Sequence, residues 1–299
     1  MDTVNAPTEF KPRKPWLAGL MSLFPSLGQV YNGQLKKGIF IFGSLLLVPY
    51  LFGILRLKLY FWAYFGLILF LIAIRIYAVT DAVMVANRQK EYVPKKYNVW
   101  YCYVLVMLLC IVPSLTNLPN NLSVQSLRIY SLSGSPTLQI NEMVIADYNA
   151  YKNTKPDYGD LVVFKVKGDI SYGFRVVGLP HDTIDIKDNL VSINKRRNLA
   201  RFIQKAYLNK YTLLEYQETL PNGHNYSIYR NESPYDSAMA NIQNIIVPAE
   251  SYFLLGDNRD LAYDSRYIGS VNINKIQGKI LYNAWSNDLK RINIDFTKK

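Results

Sequence analysis

The stretch "YGFRVVGLPHDTIDIKDNLVSIN" (residues 172–194) decides the fold of the larger part of this chain. Its Val, Ile and Phe residues fall in short runs broken by Gly178, Pro180 and an Asp188-Asn189 pair, the pattern of strands joined by tight turns rather than of a helix. The second half, "IDIKDNLVSIN", reads as a hairpin turning at Asp188-Asn189, a pair less suited to that turn than Asp-Gly. Residues 143–148 and 160–166 repeat the pattern, and strand character returns at 245–255. Residues 199–244 between them are polar and show little periodicity, so they read as an inserted subdomain. An antiparallel β domain is predicted over residues 116–299.

Upstream the pattern changes. Residues 38–55, 59–74 and 99–115 are apolar and uncharged, each near the roughly 17 to 25 residues a spanning helix needs. They predict a transmembrane region of about three helices over 38–115, preceded by a cytoplasmic or interfacial segment, 1–37. A fourth stretch, 16–31, is shorter and carries Pro25, Gly28 and Gln29, which suits an interfacial or re-entrant segment better than a span. Cations decide the orientation, because Lys and Arg gather on the cytoplasmic side. With three crossings, Lys11, Arg13, Lys14, Lys36 and Lys37 share that side with Arg88, Lys90, Lys95 and Lys96, and the β domain lies outside. Arg75 and Asp81, near the end of the second run, read as an interfacial pair. "FPSLGQVYNGQLKKG" (24–38) resembles a small bacterial membrane domain of unknown role.

The 299 residues carry a net charge of +12. Residues 1–115 hold 12 Lys+Arg against 4 Asp+Glu, so most of the excess flanks the apolar runs instead of forming a basic face for nucleic acid. Both cysteines, Cys102 and Cys110, lie in the third apolar run. The β domain therefore has no thiol for a disulfide or for zinc, and no metal or other cofactor is expected. Its two histidines, His181 in "LPHD" and His224 in "PNGHN", read as solvated turn residues, far from the setting a Ser-His-Asp triad requires.

Four segments carry more specific information: "SLSGSPTLQINEMVIADY" (131–148), "YGDLVVFKV" (158–166), "FRVVGLPHDTIDI" (174–186) and "YFLLGDNRDLAYDSRYIGSV" (252–271). In order and spacing they resemble the successive motifs of the bacterial type I signal peptidases, membrane-anchored serine endopeptidases that remove signal peptides from exported precursors. The resemblance implies a mainly-β domain following transmembrane helices, in the bacterial cytoplasmic membrane with its C-terminal domain on the outer, periplasmic side. Its partners are then the bilayer and exported precursors. It places the nucleophile at Ser133, in the S-x-x-P-T-L pattern, and an oxyanion-hole hydroxyl at Ser131. Arg175, Asp257, Arg259, Asp264 and Arg266 match positions that support the scaffold. The family's general base is a lysine kept neutral by burial, since desolvation disfavours the ammonium.

At that position this chain has Phe174. The serine that orients the lysine is replaced by Ala262, and the methionine that follows the nucleophile by Gly134. Lys152, Lys155, Lys165, Lys167 and His181 are poor substitutes, because an exposed lysine is protonated near neutral pH and His181 sits in a tight turn. Losing the base costs on the order of 100 to 10,000-fold in rate. Two expectations follow: a signal peptidase I-like serine endopeptidase, or an inactive relative that binds peptides or regulates secretion.

Overall fold

The computed structural model describes residues 12–115, 123–165, 171–197, 199–208, 211–232 and 235–298. It separates into two compact units, Met1–Leu122 and Ser123–Lys299.

The first unit is helical: α1 (Pro15–Met21), α2 (Leu27–Tyr31), α3 (Leu35–Ile54), α4 (Phe61–Arg88) and α5 (Trp100–Leu115). α3, with 20 residues, and α4, with 28, are long and apolar enough to cross a membrane. α5 has 16 residues, slightly short of a span. The stretch 16–31 forms the two short helices α1 and α2, tied to α4 by side-chain amides. Gln29 Nε2 donates to the Ala78 carbonyl at 2.7 Å and Asn32 Nδ2 to that of Ala82 at 2.7 Å. Gln29, read from the sequence as ill suited to a span, is thus one of the two residues that pin the stretch, since a buried amide must find a partner. Gly28 permits the approach: a Cβ there would lie 2.6 Å from the Ala18 carbonyl and 2.9 Å from Ala82 Cβ.

The expected Arg75–Asp81 pair does not form. Asp81 pairs with Lys37 of α3 at 2.7 Å, while Arg75 Nη1 donates to the Leu23 carbonyl at 2.8 Å. Six residues along a helix turn a side chain by about 240°, so the two point to different faces.

The second unit is built from antiparallel sheets. Its strands are β1 (Val124–Arg128), β2 (Met143–Asp147), β3 (Leu161–Lys165), β4 (Ser171–Gly178), β5 (Thr183–Lys187), β6 (Leu190–Ile193), β7 (Arg196–Arg197), β8 (Leu199–Leu208), β9 (Tyr211–Thr219), β10 (Asn225–Arg230), β11 (Ile242–Ile246), β12 (Ser251–Leu255), β13 (Val271–Asn272) and β14 (Ile276–Trp285). One short helix, α6 (Ser265–Ile268), follows β12. The main sheet runs β1-β2-β14-β3-β4-β12-β13, and the others run β11-β5-β6-β7 and β10-β9-β8.

The predicted hairpin is β5–β6, with Lys187 paired to Leu190 and Asp188 and Asn189 both at positive φ, 52° and 64°. Asn189 stands where glycine is commoner because its side chain is used: its Oδ1 accepts from Arg266 Nη1 at 2.7 Å. The predicted strand at 245–255 divides into the end of β11 and β12, separated at Pro248. Residues 199–244, expected to be irregular, contain the regular β8–β9–β10 meander with nine- and ten-residue strands. β8 is exposed on both faces and has a bulge between Phe202 and Gln204, so no inside-outside alternation marks it.

Two apolar clusters meet at β4. One gathers Val177, Ile184, Val191, Ile193 and Phe253, the other Val162, Phe164, Phe174, Val176, Leu254 and Ala262.

Candidate functional site

Ser131 and Ser133 lie in the connection between β1 and β2. Their hydroxyls are 3.3 Å apart, and Ser133 Oγ donates to the Leu261 carbonyl at 3.2 Å. The backbone is fixed on the opposite side, where the Asn258 amide donates to the Ser133 carbonyl at 3.0 Å. This contact joins the serine loop to the "GDNRD" segment. Gly256 makes the approach possible, because a Cβ there would lie 2.3 Å from Ala262 Cβ, 2.7 Å from the Ser133 carbonyl oxygen and 3.3 Å from Phe174 Cε1. Ser133, Ala262 and Phe174 therefore surround one glycine. At Gly134 a side chain would meet Leu138 Cβ at 2.9 Å, leaving no room for a larger residue without a shift.

Phe174 is buried on β4, 3% exposed. Its ring centroid is 5.7 Å from that of Phe164 and 6.2 Å from that of Tyr172. It packs with Ala262 in the second apolar cluster. Among the described residues, Ser133 Oγ has only the Ser131 hydroxyl and the Leu261 carbonyl as hydrogen-bond partners, and neither is a base at neutral pH. The alternative bases stand apart. Lys165 pairs with Ser171, three register steps or about 10 Å along β3 from the Val162–Phe174 pair. Lys152 and Lys155 are exposed, and His181 is an exposed turn residue at φ 72°. Lys167 lies outside the described residues.

The five motif residues expected to support the scaffold are all buried and paired. Arg175, the neighbour of Phe174, faces the other way, as alternation along a strand requires. It binds Asp257 with two parallel bonds, Nε–Oδ1 at 2.9 Å and Nη2–Oδ2 at 2.7 Å. Arg266 grips Asp264 in the same way, both contacts at 2.8 Å, and Asp264 Oδ2 also accepts from the Gly256 amide at 3.0 Å. Two-pronged pairs of this kind fix orientation as well as distance.

Arg259 takes its carboxylate from outside the motif. Glu218 on β9, with no exposed surface, receives Arg259 Nη2 at 2.6 Å. Burial disfavours the Arg259 charge but Glu218 outweighs it, holding the guanidinium above its ordinary pKa. Tyr226 hydrogen-bonds to both groups, and burial with the neighbouring Glu218 charge pushes its phenol well up. Sequence reasoning missed Glu218. The motif offered no shortage to point to it: its last segment carries three aspartates, and only the structure shows Asp260 taken up by the Asn231 and Tyr235 amides, leaving Arg259 to Glu218.

His224 corrects another expectation. Instead of being solvated it is 6% exposed, its ring against Gly159 and its Nε2 3.2 Å from Arg175 Nη1. The turn after β9 packs against Arg175 of β4 and the residues just ahead of β3, where Gly159, at φ +88°, leaves space for the ring. Among the described residues no cluster of His, Cys, Asp or Glu is arranged to hold a metal.

With this geometry in view, the comparisons with known proteins are specific. The family model for signal peptidase, peptidase S26, matches residues 99–285. The signal peptidase I of Rickettsia conorii is 34% identical over 158 residues, covering 47% of this chain and 58% of that protein. The Rickettsia rickettsii signal peptidase I gives the same values, and that of Rickettsia akari is 32% identical over 160 residues. The chain thus spans about 58% of the length of these curated relatives. The crystal structure of a signal peptidase I from Enterococcus faecalis V583 is 23% identical, covers 42% of this chain and 97% of that one, and has a TM-score of 0.26. The family match extends over more than half of the 299 residues, and the chain belongs to the signal peptidase S26 family.

Proposed function

We propose that this protein is a membrane-anchored relative of type I signal peptidase that receives the signal peptides of exported precursors at the Ser133 site without the base that rapid cleavage needs. The observation that carries this reading is the pair of buried, apolar residues Phe174 and Ala262 packed with Gly256 beside the Ser133 carbonyl. In the family these positions belong to the general-base lysine and the serine that orients it. A serine hydroxyl without a base is a weak nucleophile, and what remains is the modest catalysis that positioned hydrogen-bond donors supply alone. Peptide recognition is a separate capacity, because an extended chain binds a sheet edge through its backbone.

A second reading, an active serine endopeptidase, draws on the 3.3 Å approach of Ser131 and Ser133 and on the retained ion pairs. One experiment separates them: full-length protein in detergent, incubated with a labelled precursor, as wild type, Ser133→Ala and the double variant Phe174→Lys with Ala262→Ser. The first reading expects cleavage only from the double variant. Wild-type cleavage abolished by Ser133→Ala would establish the second.

The reading places the protein in the bacterial cytoplasmic membrane, with three crossings formed by α3, α4 and α5 and the β unit on the outer side. It assigns no role in binding nucleic acid or a cofactor. A reporter fused after Lys299 tests the orientation, and a cytoplasmic signal there would overturn it.

A further inference from the structure

Within the helical unit, α3 and α4 enclose a groove of about 600 Å³ lined by Phe42, Leu45, Pro49, Ile68, Leu71 and, at one end, Arg75. Pro49 has no N–H to offer the Leu45 carbonyl, and the two line the same groove. The Lys37–Asp81 pair joins the helices beyond the charged end, six residues or about 9 Å along α4 from Arg75. From Arg75 the apolar walls continue to Ile68, a further 10 Å or so along the helix.

Arg75 is the unexplained feature. A guanidinium midway along an apolar helix that crosses a bilayer is costly unless it is paired. Its one hydrogen bond is to the Leu23 carbonyl, and among the described residues no carboxylate lies within ion-pair distance, Asp81 being engaged by Lys37. The remaining guanidinium donors suit a phosphate oxygen.

We propose that the α3–α4 groove binds an anionic phospholipid, one acyl chain along Phe42, Leu45, Pro49 and Leu71 and the headgroup phosphate on Arg75. The site rests on the reading that these helices cross the bilayer. Charge selects this occupant over the apolar helix of a signal peptide, whose N-terminal region is itself cationic and would meet Arg75, Lys36 and Lys37. A helix with side chains is also about 10 to 12 Å across, wide for a groove of this volume.

The test uses the full chain in nanodiscs containing equal amounts of phosphatidylglycerol and phosphatidylcholine, with retained lipid counted by native mass spectrometry. Wild type is expected to retain phosphatidylglycerol preferentially, and Arg75→Gln to lose that preference by roughly tenfold, the loss of one charge-assisted contact. Arg75→Lys, which keeps the charge, recovers part of it. Leu71→Trp, which fills the groove, lowers retention of both lipids. Equal retention of the two lipids by wild type, or an unchanged preference in Arg75→Gln, would overturn the site. Carbonate extraction separates this from failure of the spanning reading: release of the protein would remove both, whereas retention in the membrane without lipid preference removes the site alone.

Discussion

β4 has two faces of opposite chemistry, one apolar and one charged. On one face Phe174 lies among Phe164, Tyr172 and Ala262, an apolar surface at the position that the proposed reading assigns to a proton acceptor. On the other, one residue away, Arg175 keeps a two-pronged bond to Asp257 and continues into Tyr226, Glu218 and Arg259. The comparison separates two demands on the same strand. The polar face positions backbone and holds together segments distant in sequence, and a buried charge network fails if one member is lost. The apolar face, on the proposed reading, needs only volume and shape.

The comparison breaks most visibly if its polar side proves tolerant. Glu218→Ala leaves Arg259 buried without a carboxylate and is expected to cost about 3 to 5 kcal/mol of stability, read from the urea midpoint of the full chain in detergent. On the apolar side, Phe174→Leu is expected to cost less than about 1.5 kcal/mol in the same assay, because a hydrophobic residue of similar size can repack. Equal losses would show that Phe174 is held by more than packing.

The smallest effect is a matter of pH. The Tyr226 phenol is raised in the folded protein by burial and by Glu218, so the unfolded chain releases this proton first as pH rises. Its contribution is fully present below the unfolded value, near pH 10, and is lost progressively above it. Melting curves between pH 8 and 11 should show an alkaline fall that Tyr226→Phe makes shallower. An identical slope in the variant would remove Tyr226 from the network's energetics.

The legible parts of the fold are those where short apolar or alternating runs end at turn residues. β5 alternates because one of its faces is buried, whereas β2, β3 and the end of β4 are buried on both faces and are legible as short apolar runs bounded by turn residues. β14 lies between β2 and β3 yet leaves little trace, since bulges at Ile280/Tyr282 and Asn283/Trp285 shift its register and Gly278 occupies a buried position. The site divides similarly. Ser131, Ser133, Phe174 and the motif arginines stand in recognisable segments, whereas Glu218, Tyr226 and His224 come from a stretch with little pattern. They reach the motif across 33 to 49 residues of sequence, a separation over which no local pattern marks a partner.

On the proposed reading Ser133 has no base, and cleavage of a labelled precursor tests this most directly. In detergent, wild type and Ser133→Ala should be indistinguishable, while Phe174→Lys with Ala262→Ser should gain cleavage on the order of 100-fold or more over wild type. Wild-type cleavage that disappears in Ser133→Ala would contradict the account.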